Sequence, residues 1–242
     1  MPLLLSVSIF GTSSVKACDL AIVFAVDVSG SVDPQEFRIQ MDGLAAALRD
    51  SAVAEALWRK NAQVTLIQWT GSSRQRQTLP WTSMADFSAV EAFADAIEAN
   101  PRVWRNFSTA LGEALQVSQD SFAQVTDCAR FVVDVSGDGR SNEGISPQDR
   151  HSDLRQAGIT VNGLAIETDD SDLTAYFFEN VITGEGAFVE TAWGFENYPA
   201  AILRKLQRET TRAAAQKTHY DAIRRADLHI CDHAFPACDH KR

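Results

Sequence analysis

Four short apolar runs constrain most of what this chain can fold into. Residues 20–26 (LAIVFAV), 63–69 (QVTLIQW), 131–135 (FVVDV) and 159–166 (ITVNGLAI) are rich in β-branched and aliphatic side chains and are bounded by glycine and polar residues. Runs of this length with little polar alternation suit strands covered on both faces, as in a parallel sheet flanked by helices. Residues 74–81 (RQRQTLPW) follow Gly71-Ser72-Ser73, are polar and carry Pro80. They read as a hairpin partner at a sheet edge, where a missing amide is tolerated. Helical stripes alternate with the strands. Asp33-Pro34-Gln35-Glu36 is a capping box with proline at the first helical position, and Phe37, Met41, Leu44, Ala45 and Leu48 follow at helical spacing. Phe87, Val90, Phe93, Ala94 and Ile97 form a second stripe, and Leu111, Leu115 and Phe122 lie on a third. Residues 147–157 read as a helix stopped by Gly158, residues 186–190 as the last strand, and residues 199–227 as a long, mostly polar helix. The order β-α-β-β-α-α-β-α-β predicts an α/β fold: a doubly wound, mostly parallel sheet with one antiparallel edge strand, in three layers.

Composition narrows the function. The chain has 242 residues, of which 45% are hydrophobic and 22% charged, which is globular composition and suits one α/β domain. Lys and Arg total 22 against 32 Asp and Glu, so the net charge is −10 and a general nucleic-acid binder is disfavoured. No stretch reaches the roughly 18–20 apolar residues that span a bilayer.

In doubly wound sheets the site lies at the carboxyl ends of the strands, near the point where strand order reverses. The first run is followed by Asp27-Val28-Ser29-Gly30-Ser31 and the third by Ser136-Gly137-Asp138-Gly139, and Ser108-Thr109 stands just before the third helix. These loops open on one edge. They supply two carboxylates (Asp27, Asp138) and three hydroxyls (Ser29, Ser31, Thr109), with no His or Cys. Such a hard-oxygen set suits Mg²⁺ or Mn²⁺ rather than Zn²⁺ or Cu²⁺. Five protein oxygens, some acting through water, leave room for an outside ligand. Two carboxylates leave a dication close to neutral and still a Lewis acid.

The pattern Asp27-x-Ser29-x-Ser31, Thr109 and Asp138-Gly139 resembles the metal-ion-dependent adhesion site (MIDAS) of von Willebrand factor type A (vWA) domains, which share a Rossmann-like three-layer sandwich. More closely, AVDVSGSVDPQEFRIQMDG, PWTSMADFSAVEAFADAI, VVDVSGDGRSNEG, AGITVNGLAI and NVITGEGAFVETAWGFENYPAAILRKL resemble the bacterial DUF1194 group. The resemblance covers roughly residues 19–206. It implies divalent-metal-dependent protein binding, with an Asp or Glu of the partner as the last metal ligand. One departure is visible: Asn106-Phe107-Ser108 precede Thr109 where many relatives carry glycines, so Phe107 is expected to narrow that loop and Thr109 is the weakest of the five assignments.

No G-x-S-x-G elbow, Walker A motif or dinucleotide fingerprint is present. A binding module rather than an enzyme is therefore expected; a metal-assisted hydrolase and a scaffold with an internal metal are the alternatives. Residues 1–17 read as a truncated signal peptide, with Val15 and Ala17 at −3 and −1 of a cleavage before Cys18, which predicts export to the periplasm or beyond; a cytoplasmic chain is the alternative. The domain then spans 18–206 and a helix and tail 207–242. Cys18 and Cys128 each precede a central strand, so a bond between them is geometrically reasonable, with free thiols as the alternative. For Cys231 and Cys238, with His233 and His240 nearby, a disulfide ranks ahead of a disordered tail and of zinc. Residues 167–172 (ETDDSD) read as a solvated loop with Ser171 or Asp172 capping the next helix, and a second cation site as the minor alternative. Trp69 and Trp81 read as sheet-packing residues. Arg204, Lys205, Arg208, Arg212, Arg224 and Arg225 read as an exposed positive face of the last helix, with an acidic partner as the functional alternative.

Overall fold

The computed structural model describes residues 18–211. The leader 1–17, the Cys231–Cys238 pair with its zinc alternative, and Arg212, Arg224 and Arg225 lie outside the described residues. Six strands run β1 (Ala21–Asp27), β2 (Gln63–Trp69), β3 (Gln75–Ser83), β4 (Phe131–Gly137), β5 (Ile159–Ile166) and β6 (Val189–Ala192). They form one sheet in the order β3-β2-β1-β4-β5-β6, parallel except for β3 on β2. The connection leaves β1 for β2 on one side and reaches β4 on the other, so order reverses between β1 and β4. The expected α/β, mostly parallel sheet with an antiparallel edge is the observed one.

The apolar runs are buried on both faces, as their lack of alternation requires. Ile22, Phe24 and Val26 of β1 point into one core with α1 (Pro34–Arg49), α2 (Ser51–Arg59), α3 (Phe87–Glu98) and α7 (Tyr198–Thr211). Ala21, Val23 and Ala25 point into the other, with α4 (Leu111–Ser121), α5 (His151–Gln156) and α6 (Leu173–Asn180). The capping box forms: Asp33 Oδ1 accepts from the amides of Gln35 and Glu36 at 2.7 and 2.8 Å, and Glu36 Oε2 accepts from the amide of Asp33 at 2.7 Å. Trp69 is fully buried, and Trp81 donates Nε1–H to the Ser121 carbonyl at 3.0 Å, so both serve packing as expected.

Three elements differ from expectation. Residues 147–157 split into a 3-10 turn (Pro147–Arg150) and the short α5. The last strand starts at Val189, because Phe188 is drawn into the core. α2 was not anticipated: it starts two residues after α1 ends, and Asp50 between them accepts from the amides of Ala52 and Val53.

Cys18 and Cys128 form a disulfide, with Cα atoms 4.4 Å apart. It ties the amino-terminal approaches to β1 and β4, the two central strands.

Lys205 departs from the exposed positive face expected of α7. Its side chain is fully buried, and Nζ lies 2.6 Å from Asp134 Oδ1 and 2.8 Å from Glu209 Oε1. Arg204 does face solvent, in a salt bridge with Glu190.

Candidate metal centre

The carboxyl ends of β1 and β4 bring both carboxylates to the reversal point. Asp27 ends β1, and Asp138 follows directly on β4. Asp27 Oδ1 accepts the amide of Ser29 at 2.7 Å, which curls the loop back over the strand end. The Ser29 and Ser31 hydroxyls lie 3.3 Å apart, and Ser31 Oγ–H donates to Asp138 Oδ1 at 2.7 Å. Two hydroxyls and two carboxylates thus form a continuous cluster, with Ser31 at the solvent side. Thr109 is buried nearby; its Oγ1 is 3.8 Å from where a side chain at Gly139 would begin. Its backbone is clamped to the Asp138 loop, with its amide donating to Asn142 Oδ1 and its carbonyl accepting the Asn142 amide, both at 2.9 Å.

Phe107 does not close this loop. Its carbonyl accepts the Gly30 amide at 2.8 Å, which fastens the loop to the serine turn, and its ring lies under the Arg74 guanidinium at 3.8 Å. The bulk expected to narrow the loop is turned outward instead.

Burial and mutual repulsion make the site short of positive charge. Desolvation first, then the charge of Asp138, pushes Asp27 up to about 8, against the opposing bonds from Ser29 and the charge of Arg102. Burial also raises Asp138, with Asp169 adding to it and the Ser31 hydroxyl opposing. Asp27 Oδ2 is buried with no hydrogen-bond partner among the described residues. An orphaned carboxylate oxygen normally costs a few kcal/mol, and a cation is the natural relief. Among the described residues no group of three or more His, Cys, Asp or Glu side chains converges, so the hydroxyls must carry the rest of any donor set. All of it is oxygen, which fits Mg²⁺ or Mn²⁺.

Several supporting residues escaped the sequence reading. Arg102 donates Nη2–H to the carbonyls of Val28 and Ser29 at 3.0 and 2.9 Å, bracing the serine loop from behind. Gln40 Nε2–H donates to the Asp27 carbonyl at 3.2 Å. Gly137 passes so close that a Cβ there would sit 3.0 Å from Asp27 Oδ2 and 3.3 Å from Trp69. Gln40 falls on the buried stripe of α1, three residues after Phe37 and four before Leu44, so a polar residue within that stripe was one hint, and a glycine flanking a strand-end Asp was another; Arg102 lies in no periodic pattern. In the acidic loop after β5, Thr168, Asp169, Ser171 and Asp172 are exposed as expected, but Glu167 is buried and neither Ser171 nor Asp172 caps α6 by its side chain. Glu167 does so, accepting the Thr174 amide at 3.1 Å, while Asp170 pairs with Arg140.

A pH prediction follows for metal-free protein. Asp27 is pushed up to about 8 when folded and titrates near 4 when unfolded, so the native state holds the extra proton between those values. Its contribution to stability is complete below about pH 4 and is lost as pH rises through about 8. Urea unfolding in EDTA is expected to show stability falling from pH 5 to 8, by up to about 1.4 kcal/mol per unit for this group. Asp27→Asn should flatten that slope; an unchanged slope would show that Asp27 titrates normally.

Solved structures share the fold. Proximal thread matrix protein 1 from the mussel byssus, with a zinc-occupied MIDAS motif, aligns at a TM-score of 0.59 and 16% identity, over 80% of this chain and 46% of that one. The pilus adhesin SpaC from Lactobacillus rhamnosus GG, in its open conformation, aligns at 0.60 and 15%, over 81% and 30%. A von Willebrand factor type A protein from Catenulispora acidiphila aligns at 0.55 and 16%, over 81% and 43%. The chain thus spans less than half the length of each of these proteins, and the likeness establishes a vWA-type fold. No curated protein matches the chain. The model of a family described as "Protein of unknown function (DUF1194)" matches residues 17–214, and the chain belongs to that family.

Proposed function

We propose that this protein is a divalent-metal-dependent protein-binding module. Asp27, Ser29, Ser31, Thr109 and Asp138 would hold Mg²⁺ or Mn²⁺, and an Asp or Glu of a protein partner would complete the coordination. The observation that carries this is the convergence of two buried carboxylates with the Ser29 and Ser31 hydroxyls at the ends of β1 and β4, together with Asp27 Oδ2, which is buried with no hydrogen-bond partner among the described residues. The bound ion would supply Lewis acidity. The chain's own part is to fix the hydroxyls, through the Asp27–Ser29 turn and the Arg102 brace, and to keep the buried carboxylates in place. The vWA-type fold, together with a zinc-occupied MIDAS in the mussel matrix protein and the adhesin identity of SpaC, supports the reading. Binding rather than catalysis is favoured because the serine hydroxyls are engaged with each other and with Asp138, with no imidazole beside them among the described residues. The Cys18–Cys128 disulfide supports an exported protein, since such bonds persist in oxidising compartments.

Calorimetric titration of Mg²⁺ and Mn²⁺ into EDTA-stripped protein tests the site. One site is expected, lost in a folded Asp138→Ala variant. Absence of binding in the wild type, repeated with acetate or free glutamate as a surrogate partner ligand, would overturn the metal reading.

A further inference from the structure

Among the described residues, six arginines of this acidic chain, Arg38, Arg49, Arg59, Arg140, Arg150 and Arg204, are paired with carboxylates within the fold. Arg76 and Arg105 are exposed, and among the described residues neither has a carboxylate within salt-bridge distance. Both stand beside the candidate metal centre. Asp27 is in register with Trp69, and Trp69 with Gln75, so Arg76 on the edge strand β3 is two strands over, roughly 10 Å to the side. Arg105 is on the loop between α3 and α4 that runs into Thr109.

That loop is irregular but firmly tied. Gln68 holds it at one end, with Nε2–H donating to the Pro101 carbonyl at 2.9 Å and Oε1 accepting the Val103 amide at 3.0 Å. At the other, the Phe107 carbonyl binds Gly30 and the Ser108 carbonyl accepts from the Thr70 hydroxyl at 2.9 Å. Its outward residues lie against the arginines: Arg76 is over the Trp104 ring at 5.3 Å and Arg74 over Phe107 at 3.8 Å. Stacking fixes each guanidinium plane while its N–H edge stays available, so less entropy is lost on binding an anion. Arg74 is partly answered by Glu143, whose carboxylate it helps hold below its ordinary range, after the bonds from Ser72. Asp169, in the loop after β5, lies on the side of Asp138 away from β3, and Asp33 and Glu36 add negative charge around Asp138. Polarity across the site is therefore directional.

We propose that Arg76 and Arg105, set on Trp104 and the 101–109 loop, form a docking strip for an acidic segment of a protein partner. A first carboxylate of that segment goes to the metal centre, and further Asp or Glu residues run outward over the strip toward β3. The position of the first carboxylate rests on the metal-binding reading; the arginine contacts do not. Asp169 on the side away from β3, with Asp33 and Glu36 around Asp138, repels the same segment, which fixes its direction. The chain's net charge of −10 discourages acidic chains elsewhere.

Fluorescence anisotropy of a labelled octaglutamate peptide on the full chain, with Mg²⁺ or with EDTA, tests this. Arg76→Gln/Arg105→Gln is expected to weaken binding about tenfold and lower its salt dependence, with Mg²⁺ affinity by calorimetry unchanged. Arg59→Gln/Arg204→Gln, which changes net charge equally, should leave binding within about twofold of wild type. The proposal is overturned if the first variant binds as wild type, if the control weakens binding equally, or if oligothymidylate binds more tightly than octaglutamate through the same arginines. Binding that ignores EDTA but needs Arg76 and Arg105 would uphold the strip while defeating the metal reading. Binding that needs Mg²⁺ but ignores both arginines would do the reverse.

Discussion

Replacing Lys205 with Met is expected to destabilise the protein by about 3–5 kcal/mol, a large part of the stability of a domain this size. The ammonium is fully buried between Asp134 on β4 and Glu209 one turn along α7. Asn162 donates Nδ2–H to the same Glu209 oxygen at 2.8 Å and accepts the Phe188 amide at 3.1 Å, so the group ties α7 to β4, β5 and the approach to β6. One cation serves two carboxylates. Burial, then the charge of Glu209, pushes Asp134 up to about 8 despite Lys205 beside it. Burial alone would lower Lys205, but Asp134 and Glu209 outweigh it and hold the ammonium above its ordinary value. Removing the lysine leaves two carboxyl groups that already have unsatisfied oxygens, Asp134 Oδ2 and Glu209 Oε2. Urea unfolding should show the loss, and show it smaller at pH 5 than at pH 8, because Asp134, already pushed up to about 8, takes up a proton at the lower pH. A triple replacement, Lys205→Met with Asp134→Val and Glu209→Leu, should recover most of the stability, since the cost lies in stranded charge rather than lost volume. A single variant within 1 kcal/mol of wild type would show that water reaches the cluster.

The same residues show where sequence reading reaches its limit. The strands were legible because burial on both faces leaves an unbroken apolar run, and 63–69 and 159–166 coincide with β2 and β5. The strand-end residues were legible because parallel topology puts every carboxyl end on one rim, which brings Asp27 and Asp138 together whatever the loops do. Lys205 was not legible. Lys205 and Glu209 at helical spacing look like an ordinary solvated pair, and their partner lies some seventy residues earlier. The available signal was Asp134 inside FVVDV: a carboxyl in a strand covered on both faces needs a buried cation or a proton to neutralise it. Arg102 and Asn142 were hidden for a different reason. They act from irregular loops, where no period ties a residue to its place and only the folded backbone shows which carbonyl it meets. The last strand was misplaced because the chain turns through Gly184 and Gly186 and then buries Phe188 before pairing begins, so apolar character starts earlier than the ladder.

Loss of the Cys18–Cys128 bond should lower stability nearly as much while sparing the metal centre. The bond closes a loop across a sequence separation of 110, for which chain entropy in the unfolded state predicts about 4.7 kcal/mol, and native disulfides of small domains typically contribute about 2–5 kcal/mol. At about 2–4 °C per kcal/mol for a chain of this length, Cys18→Ala/Cys128→Ala should melt about 10 °C below the oxidised wild type. The bond lies at the amino-terminal ends of β1 and β4, and Asp27 and Asp138 lie at their carboxyl ends. Between them the strands are held by a register running from Ala21 opposite Phe131 to Val26 opposite Ser136. That ladder fixes the spacing of the two carboxylates without help from the disulfide. Mg²⁺ titration of the double variant well below its melting temperature should therefore match wild type, even as thermal unfolding shifts. If affinity fell together with stability, the ladder would be too soft to position the site alone, and the disulfide would have to count as part of the binding machinery. If the melting temperature barely moved, the unfolded chain would already keep the two cysteines close, and the entropy argument would fail for this protein.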